Sequence, residues 1–137
     1  MKIAFFTEGY DPFVNGVVSS IKSLRSALER QGHEVVIFAP AYPGHEDHDQ
    51  KVVRLPSVRW VKAHYPSLSP FARNLDVLAA QGFHLVHSHH PFTMGQLAAR
   101  LAREHGLPMI YSHHTMLNEY GQYVPLLGSA AKQWLMH

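Results

Sequence analysis

Two short apolar runs, Lys2 to Thr7 (KIAFFT) and Glu34 to Ala39 (EVVIFA), stand on either side of a helical pattern, and no other feature of the chain restricts its fold as much. Neither run alternates strictly between apolar and polar residues, as expected of strands covered on both faces. Between them Val17, Ile21, Leu24 and Leu28 recur at spacings of four, three and four, one face of an amphipathic helix. It ends at Gly32, which suits a left-handed cap. Strand, helix and strand in succession predict a βαβ unit.

The rest of the chain continues the alternation. Pro40 to Gln50 reads as a surface loop, and Lys51 to Leu55 as a short third strand at the sheet edge. Pro56 to Pro70 mixes Arg59, Trp60, Lys62, His64 and Tyr65 with three prolines and is long for a plain connection. Phe71, Leu75, Leu78 and Ala79 predict a helix running to Gly82. Phe83 to Ser88 is the fourth predicted strand, Gly95 to His105 a helix closed by Gly106, and Leu107 to Ser112 the fifth strand. A loop with Tyr120 and Tyr123 follows, then a helical pattern from Ser129 to His137. The predicted fold class is therefore α/β, a Rossmann-like doubly wound parallel sheet with strand order 3-2-1-4-5, and 137 residues suffice for one such domain. In such sheets ligands bind at the carboxyl ends of the strands, beside the point where the order reverses. The loops Glu8 to Gly16, His89 to Gly95 and His113 to Tyr123 should converge there.

Composition narrows the partners. The formal charge is only +2 and charged residues make up 16%, without the clustered Lys and Arg of a nucleic-acid binder. No apolar run approaches the roughly 18 residues of a membrane span. The absence of cysteine fits a reducing cytoplasm, though it fits a cysteine-free protein elsewhere equally well. Twelve histidines are the unusual feature. His33, His45, His48, His64, His84 and His105 lie singly in turns or polar segments, where solvation or capping accounts for them. Two clusters, His87/His89/His90 and His113/His114, merit a chemical reading.

The first loop, Thr7 to Val17, lacks both the GxGxxG and the GxxxxGK[ST] phosphate motifs. It ends with Asn15-Gly16 at a helix start, where free N–H groups and the helix dipole can receive a phosphate. The alternative is that Asn15 only caps the helix and Gly16 only relaxes the turn. For the histidines three readings stand. Zinc could be held by His89, His90 and His113 or His114, but no HExxH, cysteine or i,i+4 pair supports it. Loop hydrogen bonding is the second, with His87, still on its strand, partly buried. The third sets one or two imidazoles beside a polar substrate, and position at the switch point favours it.

Four stretches together carry a family resemblance. Asp11-Pro12-Phe13-Val14-Asn15-Gly16-Val17 resembles the P-x-x-[GN]-G-V element of the retaining, nucleotide-sugar-dependent glycosyltransferases of the GT-B fold, the large family 4 group. Gly32-His33-Glu34-Val35 is similar to its G-H-x-V step, and Val86-His87-Ser88-His89 to its V-H-x-H step. Tyr111-Ser112-His113-His114-Thr115-Met116, with Tyr120 and Tyr123, resembles the branch that glucosylates diacylglycerol or related lipids.

The resemblance implies that the chain is the amino-terminal, acceptor-binding domain, with Asn15 and Gly16 nearest the donor's phosphates and sugar. His89 would be the catalytic contact, hydrogen-bonding against an oxocarbenium-like transition state. Glu8, Asp11, His90, His114, Thr115 and Tyr120 would shape the acceptor side of the pocket. The co-substrate would be a nucleotide-sugar, the acceptor a lipid or small glycoside, and neither a metal nor another cofactor is expected. The nucleotide-binding domain of the family, with its E-x7-E element, is not found before His137, so residues 1 to 137 are expected to be an incomplete first domain of a GT-B fold, silent alone. Arg54, Arg59, Trp60, Lys62 and Tyr65 interleave basic and aromatic side chains, which suggests peripheral contact with an anionic membrane at its cytoplasmic face; packing of Trp60 and Tyr65 on the domain edge is the alternative. A non-catalytic flavodoxin-like module holding a metal or small ligand at the histidines is the competing function.

Overall fold

The computed structural model describes residues 1–59 and 65–114. In chain order its elements are β1 (Lys2–Phe6), α1 (Gly16–Arg30), β2 (Glu34–Pro40), β3 (Val52–Leu55), β4 (Ser57–Val58), β5 (Ser67–Leu68), a 3-10 turn (Pro70–Asn74), β6 (Leu85–Ser88), α2 (Thr93–Glu104) and β7 (Met109–Tyr111). Five of the strands form one sheet in the order β3-β2-β1-β6-β7, all neighbours parallel. This is the predicted 3-2-1-4-5 order, with a small antiparallel pair, β4 and β5, added to the segment that sequence alone leaves irregular.

The two faces of the sheet explain the unbroken apolar runs. Ile3, Phe5, Val35, Ile37 and Ala39 face α1, which buries Val18 and Ile21 against them and leans Val17, Leu24 and Leu28 on the same cluster. Ala4, Phe6, Val36, Phe38 and Val86 face the other way and meet Met94, Leu97, Ala98, Leu101 and Ala102 of α2. Side chains as buried as Phe5, Phe38 and Leu101 each contribute about 2 kcal/mol. Both helices stop in the same way. Gly32 (φ 87°) and Gly106 (φ 62°) take the left-handed position, and His33 and Leu107 return N–H bonds to the Leu28 and Ala102 carbonyls.

The predicted helix from Phe71 to Gly82 does not form. Phe71 and Leu75 are exposed while Leu78 is buried in the core, so the apparent periodicity does not make one buried face. The local polar groups compete with a helix: Ser69 Oγ accepts the Phe71 N–H, Asp76 Oδ1 accepts the Leu78 N–H, and Leu75 is already extended. Among the described residues the crossover from β3 to β6 therefore holds no α-helix. At the other end, α2 starts at Thr93, two residues before Gly95, for a reason given below. The predicted helix from Ser129 to His137 lies outside the described residues.

Several of the scattered histidines have ordinary duties. His33 Nδ1 lies 2.9 Å from the chain's amino group, His84 Nδ1 accepts the Lys2 N–H, and His45 and His105 sit against Asp47 and Asp76. His64 lies outside the described residues. Among the described residues no helix is long and apolar enough to cross a membrane.

Candidate active site

β1, β6 and β7 run side by side and in one direction, so the backbone leaves all three at the same sheet edge. The bonds continue past the strand ends: His89 N–H donates to the Phe6 carbonyl at 2.9 Å and Ser112 N–H to the Ser88 carbonyl at 2.9 Å. The three loops therefore meet, with His90 and His114 as the side chains that tie them together.

Alternation along β6 sends the histidines to different places. His87 and His89 share the face of Phe5, whose ring centroid is 5.0 Å from the first and 4.7 Å from the second. Their own rings stack at 4.2 Å. His87 Nε2 is 2.7 Å from Ser112 Oγ, which fixes it structurally. His89 is 1% exposed; its Nδ1 is 3.0 Å from His114 Nε2, so one of the two rings donates and the other accepts. Its Nε2 is buried with no hydrogen-bond partner among the described residues. Burial, then the neighbouring His87, His114 and His90, pull its pKa down to about 2, so the ring is neutral.

His90 turns toward the loop leaving β1. Its Nδ1 accepts the Glu8 N–H at 3.2 Å, which requires the neutral ring with its proton on Nε2. Thr7 Oγ1, 3.1 Å from the same nitrogen, donates to the Gly9 carbonyl. Burial, then His114, pulls the His90 pKa down to about 4. Its carbonyl accepts from Ser88 Oγ, and a Cβ at Gly95 would stand 2.1 Å from that oxygen. Only glycine lets α2 come this close to the β6 end.

Glu8 explains where α2 begins. Phe92, at the cap position, has no side-chain hydrogen bond to give, and the carboxylate of Glu8 stands in for it. Its Oε1 accepts the Met94 N–H at 2.7 Å and Thr93 Oγ1 donates to the same carboxylate at 2.8 Å. Glu8 is 4% exposed, and burial raises its pKa against the lowering effect of these bonds. A carboxylate so occupied serves the fold. Asp11 is likewise committed, its Oδ1 accepting from Lys22 Nζ at 2.6 Å and its carbonyl from the Arg54 guanidinium.

Asn15 caps α1 through Oδ1, which accepts the Val18 N–H at 3.0 Å. The N–H groups of Gly16 and Val17 have no partner among the described residues, and none of these lies within 4 Å of where a Gly16 Cβ would be. Among the described residues the helix start is open. Beside it stands a residue that sequence reasoning assigned elsewhere: the Tyr65 hydroxyl accepts from Asn15 Nδ2 at 2.7 Å, and its ring packs on Phe13 at 4.7 Å. No local signal in the sequence marks this, since the partners are 50 residues apart.

Three members of the basic and aromatic patch have partners within the chain. Arg54 donates to Asp47 and to the Pro40 and Asp11 carbonyls, Arg59 lies over the Tyr42 ring at 5.7 Å, and Tyr65 belongs to the site. Trp60 and Lys62, like the site candidates Thr115 and Tyr120, lie outside the described residues. No group of three or more metal-ligating side chains converges among the described residues, and His90 Nδ1 is taken up by the Glu8 N–H.

The family model of Glycosyltransferase Family 4 matches residues 14–137, nearly the whole chain. The chain belongs to Glycosyltransferase Family 4. Within the family it is 32% identical over 127 residues to the alpha-monoglucosyldiacylglycerol synthase of Streptococcus pneumoniae, covering 90% of this chain and 29% of that protein. The synthase of the same name from Acholeplasma laidlawii is 34% identical over 135 residues, covering 93% and 33%. A GDP-mannose-dependent alpha-mannosyltransferase of Mycobacterium tuberculosis is 31% identical over 148 residues, covering 100% and 39%. The chain thus spans about a third of the length of these family 4 relatives.

Proposed function

We propose that this chain is the acceptor-side domain of a retaining glycosyltransferase that moves a sugar from a nucleotide-sugar to a lipid or small glycoside. The observation that carries the reading is the start of α1. Asn15 caps it, the Gly16 and Val17 N–H groups are unclaimed among the described residues, and no described atom lies within 4 Å of a Gly16 Cβ. A glycine with no internal crowding to relieve, at the positive end of a helix, suits the close approach of a diphosphate. The unpartnered Nε2 of neutral His89 supports the same reading, because a buried polar atom without a partner is costly until something fills its place. His89 then supplies a hydrogen bond to the reacting sugar through this nitrogen, while its Nδ1 is held by His114.

The acceptor class rests on the names of the relatives, two of them synthases of a glucosylated diacylglycerol. Exposed Val14 and Phe92 in the loops leaving β1 and β6 give an apolar rim that suits an acyl chain and peripheral contact with a membrane at its cytoplasmic side. The donor would be held chiefly by a carboxy-terminal nucleotide-binding domain, so residues 1–137 alone would transfer no sugar. The test is sugar transfer by the full-length protein from labelled nucleotide-sugars to diacylglycerol in anionic vesicles. Label moving into the lipid fraction with the anomeric configuration of the donor is expected. Absence of transfer from every donor tried, or an inverted product, would overturn the reading.

A further inference from the structure

Tyr65, two residues before β5, is a part of the site that neither the fold class nor the sequence motifs call for. It lies over the loop that leaves β1 and touches that loop along its length. At its start, a Cβ on Gly9 would stand 2.7 Å from Tyr65 Cε1, so the ring fills the space that glycine leaves. In the middle, Phe13 meets the ring edge to face at 4.7 Å. At its end, Asn15 Nδ2 donates to the Tyr65 hydroxyl at 2.7 Å. The ring also stands 5.8 Å from that of His90.

The amide of Asn15 is used on both sides. Its oxygen must accept the Val18 N–H to cap α1, which leaves only its nitrogen for Tyr65. The hydroxyl of Tyr65 thus fixes the plane of the capping amide, and with it the direction in which the first N–H groups of α1 point. A side chain at once in contact with Gly9, Phe13, Asn15 and the neighbourhood of His90 spans two of the three converging loops.

We infer that Tyr65 is a positioning residue that acts through Asn15, holding the Asn15-Gly16 turn in the form that receives the donor's phosphates. The inference rests on the glycosyltransferase reading for the identity of the ligand and on geometry for the coupling. Through it, a side chain next to β5 influences donor binding without touching the donor.

The test uses the full-length protein with Tyr65→Phe, which keeps the ring over Gly9 and removes only the hydroxyl, and Asn15→Ser, which keeps an N-cap oxygen but is too short to reach Tyr65. The expected result for Tyr65→Phe is a rise of about three- to tenfold in KM for the nucleotide-sugar with kcat within about twofold, the size of one hydrogen bond. Hydrogen exchange in the first turn of α1 should be faster by a similar factor. Both effects should vanish in the Asn15→Ser background, since the two side chains act as one unit. Tyr65→Phe with unchanged KM and exchange, or with the same effects in both backgrounds, would overturn the inference. If the wild-type protein transfers no sugar, the glycosyltransferase reading fails on its own. First-turn exchange still decides on Tyr65 in that case: faster exchange confined to the Asn15 background supports the coupling, and equal exchange overturns it.

Discussion

Glu8 caps a helix that begins 85 residues later in the chain: its carboxylate accepts the Met94 N–H at 2.7 Å and the Thr93 hydroxyl at 2.8 Å. The acid at the end of β1 thereby locks the loop after β6 against the loop after β1. Glu8→Ala should cost about 2–3 kcal/mol in a urea unfolding titration, because the buried Met94 N–H and the half-buried Thr93 hydroxyl lose a charged acceptor. Glu8→Gln keeps an acceptor for Met94 and should cost about 1 kcal/mol, the size of a charge at a helix end. Equal costs for the two variants would mean that the hydrogen bonds do not matter.

Two glycines near the site should respond in opposite ways. Gly95→Ala forces a methyl to within 2.1 Å of the His90 carbonyl and should destabilise the protein by about 2 kcal/mol or more. Gly16→Ala meets no described atom within 4 Å and should leave stability within about 0.5 kcal/mol of wild type. Sugar transfer by the full-length Gly16→Ala protein should nevertheless fall by about tenfold or more, because the methyl stands where the donor approaches. Thermal melts and initial rates on the same samples separate the two effects.

Acid should weaken the fold before its carboxylates account for the loss. The folded pKa of His90 is about 4 against 6.5 for the free side chain, so the unfolded chain binds more protons throughout that window. The stability contributed by neutral His90 is complete above about pH 6.5 and is lost as pH falls toward 4, by at most about 3 kcal/mol. Glu8, whose pKa is raised, works in the other direction and offsets part of the loss. His90→Asn keeps an acceptor for the Glu8 N–H and removes the titration, so chemical denaturation at a series of pH values should give a flatter profile between pH 6.5 and 4.

His89 should matter to turnover more than to folding. In the full-length protein His89→Leu should lower kcat by about a hundredfold, the usual loss when a positioned hydrogen-bonding group is removed. The donor's KM should change little. A variant that loses activity only in proportion to its loss of folded protein, measured by circular dichroism, would return His89 to a structural role.

Sugar transfer should persist after treatment with EDTA, as the family resemblance implies and as the phosphate contacts proposed for the α1 start allow. Initial rates with and without added magnesium or manganese check this. Restoration of activity by one metal alone would show that a cation helps to carry the donor.

The sheet was legible from the sequence because its signals are local. KIAFF and EVVIFAP are apolar on both faces, Val18 and Ile21 mark one side of α1, and Gly32 and Gly106 end their helices by backbone conformation alone. The same holds for the Asn15 cap and for the placing of three loops at one edge, which follow from strand order. The segment after Pro70 misled because periodicity does not say whether a core waits beneath it, and Phe71 found none. What each polar side chain does was decided only in three dimensions. Glu8 holds a helix end and Asp11 a lysine; Arg54 donates to two carbonyls and Asp47; Tyr65 reaches Asn15 from 50 residues away. Hydrogen-bond partners are chosen by distance and desolvation after the chain has packed, whereas strands and helices are chosen by the pattern of neighbours along it.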